Sequence, residues 1–254
     1  MYLWKSWHDS RHRLMLYGVA GLAIGIIVGL ENMYRFYALQ GWHDISTHPE
    51  RWHWSPDDVW NWTLQMLFLY MPDAALWSAL ALGATSAGRE YGSGAMTFVL
   101  TRPQSRWRVV WHEWALAVAE IYIILSAFFI GALPFLLYFS KHYVGLGATL
   151  IPGVLAVAVC LFGLTQFLTL LTGSSMKGMS AAVAVVLFYY FLPSALDVWW
   201  HIPWPEKVQE LSLSVMSLRW NRDQNPIMEI TGVWMSVGLI FPFLSQWLIE
   251  KREV

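Results

Sequence analysis

The stretch from Trp114 to Tyr138, WALAVAEIYIILSAFFIGALPFLLY, contains one charged residue, Glu120. A helix needs roughly 20 consecutive apolar residues to cross a bilayer at about 1.5 Å of rise per residue. This stretch therefore predicts a membrane-spanning helix. The whole chain agrees, because 57% of its 254 residues are hydrophobic and only 13% are charged, which is atypical of a water-soluble domain.

Five further stretches have the same apolar character. The six predicted spans are residues 14–30, 62–84, 114–138, 147–171, 179–196 and 230–248. The tails and loops around them are far shorter than the roughly 100 residues of an independent soluble domain. We therefore expect an all-α integral membrane fold that forms a single transmembrane domain over residues 1–254, and we expect any soluble motor to be another chain.

The charge distribution predicts the orientation of the spans. With a cytoplasmic N-terminus, six spans return the C-terminus to the cytoplasm and place ten of the 16 Lys and Arg residues on that side, as the positive-inside rule requires. Residues 1–13 predict an amphipathic helix on the inner membrane surface, with a basic topology-setting flank as the alternative. No small-residue cleavage site follows the first span, so we expect a retained anchor.

Glycines recur at every fourth position of the first span, at Gly21, Gly25 and Gly29. Residues at this spacing share one helix face, and a glycine face lets a second helix approach closely. The sequence therefore predicts a helix-packing face. It does not distinguish packing within the chain from packing against a second copy.

Two carboxylates lie inside predicted spans, Asp73 near the bilayer midplane and Glu120 close to the inner boundary. No Lys or Arg lies within any predicted span to neutralise them. A charged carboxylate in hydrocarbon costs several kcal/mol. These residues are therefore candidates for a translocation or proton path, and the alternative is a neutral carboxyl that hydrogen-bonds to neighbours such as Gln65, Ser78 or Gln166.

Motifs for catalysis or metal binding are not evident in the sequence. The segment Gly173–Ser180 has the glycines of a phosphate-binding loop, but Met179 stands where the lysine is required. The histidines at positions 43, 48 and 53 have a spacing that suits no metal site on a helix or strand. We predict no catalytic residue and no metal in this chain, and the single Cys160 allows no intrachain disulfide.

The connection between the second and third predicted spans, residues 86–108, carries the most distinctive pattern. It reads GREYGSGAMTFVLTRPQSR from Gly88 to Arg106. This segment resembles the E-x-x-G-T-x-x-x-L-L-x-x-P-x-S-R pattern of type-2 ABC exporter permeases, although Ala95 and Met96 depart from it. The six-span layout and the basic N-terminus resemble that family too.

The resemblance implies that residues 86–108 form a cytoplasmic coupling loop that rests on a separate ATP-binding subunit. Two copies of that ABC ATPase would carry ATP and Mg, so this chain would bind no cofactor itself. The resemblance further implies pairing with a second permease, more readily as a homodimer, in the bacterial cytoplasmic membrane, and no nucleic-acid partner. The residues that would form or brace the docking surface are Arg89, Glu90, Tyr91, Pro103 and Arg106.

We therefore expect the permease subunit of an ATP-driven ABC exporter. The aromatic-rich spans, without internal cations, favour an apolar or amphipathic substrate such as a lipid, a drug or an antimicrobial peptide. A first alternative is a proton-coupled secondary carrier that uses Asp73 and Glu120. A second alternative is a non-transporting membrane scaffold or immunity protein.

Overall fold

The computed structural model describes residues 2–39, 70–85, 106–139, 144–200 and 227–251, and apart from a turn at residues 173–174 these are helical. These ranges contain no strand, so the all-α prediction is confirmed for them. In chain order the helices are α1 (Tyr2–Leu39), α2 (Met71–Thr85), α3 (Arg106–Phe139), α4 (Val144–Thr172), α5 (Ser175–Trp200) and α6 (Ile227–Lys251).

Four of these helices contain segments long and apolar enough to cross a membrane, which makes the chain a multi-pass membrane protein. The four segments lie in α1, α3, α4 and α6 and overlap the predicted first, third, fourth and sixth spans: Arg11–Glu31, Val110–Tyr138, Leu150–Thr172 and Thr231–Lys251. In α5, whose side chains are described as far as Phe188, the apolar segment Ser175–Phe188 overlaps the predicted fifth span. Only the C-terminal part of the predicted second span lies within the described residues, and it forms α2.

Helix α1 differs from the expected arrangement at its N-terminal end. Residues 2–13 continue the helix of the first span and do not form a separate amphipathic helix. The physical reason is the absence of any proline or glycine between Tyr2 and Tyr17 that would break the helix. With 38 residues, α1 is about 57 Å long and exceeds the roughly 30 Å hydrocarbon core.

The chain divides into two compact units, each described by itself. The first unit contains Met1–Ala74 and Tyr122–Ile151, and the second contains Ala75–Ile121 and Pro152–Val254. The first unit therefore holds α1 and the C-terminal half of α3. The second holds the N-terminal half of α3, most of α2 and α4, and all of α5 and α6.

In the first unit, α1 packs on α3 through the predicted glycine face. A Cβ atom added at Gly21 would lie 2.7 Å from the carbonyl oxygen of Ile124, and one at Gly25 would overlap the carbonyl group of Phe128. Gly131 of α3 fits in the same way against the backbone of Leu22. The structure describes one copy of the chain and shows this face packed against α3. Because both contact positions advance along their helices together, α1 and α3 run parallel.

In the second unit, α4 is the most extensively buried of the four candidate spans. It packs in parallel against α6, because Cys160 contacts Gly238 and, one turn further on, Gly163 contacts Phe241. Helix α4 ends in a left-handed turn at Gly173, with a φ of 67°, whose N–H donates to the Thr169 carbonyl at 2.9 Å. This turn is a common helix C-cap, and it makes α4 and α5 an antiparallel hairpin.

Substitution of Gly25 by alanine is expected to lower the free energy of unfolding by about 1–3 kcal/mol, because the new methyl group forces α1 and α3 apart. Thermal unfolding of the purified protein in mild detergent measures the change. Gly232→Ala is the matched control, since nothing lies within 4 Å of a Cβ built at that position of α6. The control should gain up to about 1 kcal/mol from helix propensity. Equal effects of both variants would contradict a close α1–α3 contact.

Candidate functional site

The predicted coupling loop is framed by two described helices, because α2 ends at Thr85 and α3 begins at Arg106. Residues 86–105 between them lie outside the described residues. The docking roles predicted for Arg89, Glu90, Tyr91 and Pro103 therefore stay predictions. Arg106 is the first residue of α3 and precedes the apolar span, which begins at Val110.

A cluster of aromatic rings fixes the start of α3 against α6. The ring centroids of Trp107 and Trp111 lie 4.8 Å apart, and both rings contact Phe243, at 5.7 and 5.2 Å. Trp114 extends the cluster along α3, 5.6 Å from Trp111. Ring pairs at these separations are worth about 0.5–1.5 kcal/mol each beyond their burial. The first turns of α3, which follow the predicted loop directly, are therefore held by specific contacts.

The C-terminal turns of α6 have the character of a membrane–water boundary. The Lys251 ammonium lies 4.5 Å from the centre of the Trp247 ring, and the Gln246 amide donates to the Glu250 carboxylate at 2.8 Å. Tryptophan and lysine together are typical of the end of a membrane span. This end of α6 therefore marks the edge of the hydrocarbon region.

The two candidate path residues have contrasting environments and belong to different units. Asp73 is exposed in the first turn of α2, where the helix dipole favours a negative charge. Glu120 is only 2% exposed, so its carboxyl is packed inside the helices of the second unit and does not face lipid. It also takes part in an interaction within the protein.

Other buried polar residues of the second unit were less conspicuous in the sequence. The sequence marks Gln166 only as a possible hydrogen-bond partner of a carboxyl, and it gives no distinctive signal for Thr165, Thr169 or Ser245. All four side chains are nevertheless 0% exposed. The two threonine hydroxyls donate to backbone carbonyls one turn earlier at 2.7 Å, which is a common arrangement for threonine in a helix. Within the described ranges, no group of three or more His, Cys, Asp or Glu residues could hold a metal.

Comparison with known protein families decides the class of the chain. The family model described as ABC-2 family transporter protein matches residues 14–216, which is well over half of the chain. The chain belongs to the ABC-2 transporter family. No curated protein and no solved structure matches the chain.

Membership of the ABC-2 family identifies the chain as a type-2 ABC transporter permease. Permeases of this family are typically the non-catalytic membrane component, and membership implies partnership with an ABC ATPase subunit. The matched residues include the predicted span of α1, the loop at 86–108 and all of α5, whereas α6 lies beyond them.

In this ABC-2 permease, Glu120→Gln should change the free energy of unfolding by less than about 1 kcal/mol, because a neutral amide of the same length can keep the interactions of a neutral carboxyl. Glu120→Ala should lower it by about 2–4 kcal/mol through the cavity that it leaves. Thermal unfolding of both variants tests this, with exposed Glu250→Gln as the control. Equal losses of stability in the Gln and Ala variants would contradict a neutral carboxyl and would indicate that Glu120 is ionised and that its charge is required.

Proposed function

We propose that this ABC-2 permease is the membrane-spanning subunit of an ATP-driven exporter. Two copies of a separate ABC ATPase bind ATP and Mg and hydrolyse the nucleotide, while this chain provides the path through the membrane. The family match over residues 14–216 is the observation that supports this proposal most strongly.

A six-span topology with both termini in the cytoplasm of a bacterial cell is part of the proposal. The packing directions support it: α1 runs parallel to α3, α4 runs parallel to α6, and α4 and α5 form an antiparallel hairpin. Two helices such as α1 and α3 can cross a bilayer in the same direction only if the chain crosses back between them. Six spans that alternate in direction, with each span antiparallel to the next, give the observed pairs.

Coupling to the ATPase depends on the segment that leads into α3. The part of α3 that belongs to the second unit, Arg106–Ile121, is continuous helix without proline or glycine, so a displacement of its first turn is carried along this segment. The aromatic contacts of Trp107 and Trp111 with Phe243 extend that displacement to α6. A rigid-body movement of an attached ATPase can therefore shift packed helices as units.

The proposed cargo is an apolar or amphipathic molecule, such as a lipid, a drug or an antimicrobial peptide. The predicted spans contain no Lys or Arg that would select an anion. Large apolar side chains are also exposed along α1, including Met15 at 62% and Val19 at 67%. These surfaces suit contact with lipid or with a second permease, and we propose a homodimer with the cargo path between the two copies.

The orientation can be tested with single cysteines, because the native Cys160 is 4% exposed and lies within a candidate span. In sealed vesicles that expose the periplasmic face, a membrane-impermeant maleimide should label Ser55→Cys. It should label Ser105→Cys and Ser174→Cys only after the membrane is permeabilised. The unaltered protein gives the background, and labelling of Ser105→Cys before permeabilisation would place the loop on the wrong side.

Charge reversal at the start of α3 tests the coupling itself. Arg106→Glu is expected to reduce both co-purification of the ATPase and its stimulation by cargo, because it alters the docking surface while the aromatic contacts that hold α3 remain. Lys177→Glu is the matched control, an exposed cation in the first turn of α5. It should leave both properties unchanged.

The same preparation distinguishes the alternatives. The burial of Glu120 is the observation that supports the proton-coupled carrier. That alternative would be established by transport that a pH gradient drives without any ATPase and that Asp73→Asn abolishes. A bound ATPase whose turnover no cargo stimulates would favour the scaffold or immunity protein.

A further inference from the structure

Buried polar atoms without hydrogen-bond partners are concentrated in one part of the second unit. All nine such atoms in the described residues lie on α3, α4 and α6; Glu120 Oε1, Thr231 Oγ1 and Trp234 Nε1 lie further away along their helices, and the other six belong to five side chains. They are Trp111 Nε1, His112 Nδ1, Trp114 Nε1, Gln166 Nε2, Gln166 Oε1 and Ser245 Oγ. We call these five side chains the polar layer.

The packing of the helices places the polar layer at one depth. Phe243 contacts Trp111 of α3, and Phe241, two residues earlier, contacts Gly163 and Phe167 of α4. Gln166 is adjacent to Phe167, and Ser245 is one turn after Phe241. All five side chains therefore lie within roughly one or two helical turns of the same level, at about 5.4 Å per turn.

Burial of these groups is unfavourable unless something binds them. Gln166 and Ser245 are both 0% exposed, and neither has a hydrogen-bond partner among the described residues. An unpaired buried polar group costs about 1–3 kcal/mol, and hydrocarbon supplies no water in compensation. A cluster of such groups indicates a site for a polar ligand.

The chemistry of the layer selects an acceptor-rich ligand. The two indole N–H groups of Trp111 and Trp114 can only donate, and the Gln166 Nε2 donates two further hydrogens. Only the Gln166 Oε1 must accept a hydrogen bond, whereas the Ser245 hydroxyl and the His112 ring nitrogen can either donate or accept one. Positions 111 and 114 are only about 60° apart around α3, so their two indole donors, together with the Gln166 amide, suit the oxygens of a phosphate group.

The charges at this end of the helices are compatible with an anion. Lys251 is the last residue of α6, where its ammonium lies 4.5 Å from the centre of the Trp247 ring. The acidic residues nearby are already engaged, Glu250 with Gln246 and Glu113 in an interaction within the protein. Among the described residues, the carboxylates at this end that could repel an anion therefore already have partners.

The surroundings of the layer select a lipid over a free anion. Trp107 and Phe243 are 44% and 52% exposed, so apolar rings adjoin the layer on the lipid-facing surface. We propose that the polar layer binds the phosphate-bearing headgroup of a membrane phospholipid from the leaflet in which α3 begins. The acyl chains lie along the exposed faces of Trp107 and Phe243.

Binding of phosphatidylglycerol to the delipidated permease tests the proposal without the ATPase or any cargo, so its outcome is separate from that of the proposed function. Phosphatidylglycerol should raise the Tm of the unaltered protein, whereas diacylglycerol with the same acyl chains should not. Native mass spectrometry should show the retained lipid. Equal stabilisation by diacylglycerol, or by inorganic phosphate alone, would overturn the proposal.

Gln166→Leu should weaken phosphatidylglycerol binding about tenfold and abolish most of the Tm increase, because one charge-assisted hydrogen bond is lost. Without lipid, this variant should be at least as stable as the unaltered protein, since an unpaired amide is removed. Thr172→Val, which removes an exposed hydroxyl from the same helix, is the control and should keep the full lipid response. A full response in Gln166→Leu would also overturn the proposal.

Ser245→Ala should reduce the lipid response in the same direction, with Ser236→Ala as its control. The Ser236 hydroxyl is exposed and donates to the Gly232 carbonyl at 2.7 Å, so its removal should leave lipid binding unchanged. Equal responses in the two serine variants would place Ser245 outside the site.

Discussion

The constraint on which the whole structure depends is the lack of hydrogen-bond partners in hydrocarbon. Every backbone N–H and C=O in the membrane has to be paired within its own segment, and helices satisfy this requirement. Side chains then decide how the helices pack. Because lipid tails are as apolar as leucine, association relies on close van der Waals contact, which the glycines of α1 and α4 provide.

The two glycine contacts work in different ways. In the α1–α3 pair, Gly21 and Gly25 on one helix and Gly131 on the other bring two backbones together. In the α4–α6 pair, Gly163 makes room for the Phe241 side chain, so an aromatic ring fills the groove. The first contact has little side-chain entropy to lose, and the second gains apolar area that is hidden from lipid.

Much of the fold could be predicted from the sequence, because the apolar length of a span and the spacing of glycines are local properties. Residues 114–138 and 147–171 fall within α3 and α4, and the face of Gly21 and Gly25 meets another helix. The partner of that face could not be predicted, since a glycine stripe suits any helix. The polar layer could not be predicted either, because Gln166 and Ser245 are 79 positions apart in the sequence and share a level only through the α4–α6 packing.

The left-handed turn at Gly173 also bears on how the protein is made. Only Gly173 and Ser174 separate α4 from α5. The two helices therefore reach the insertion machinery in immediate succession during synthesis. The strongly apolar α4 can draw α5 into the bilayer as the second arm of a hairpin. Lengthening this turn would give α5 the freedom to remain outside, so the brevity of the connection safeguards biogenesis as well as packing.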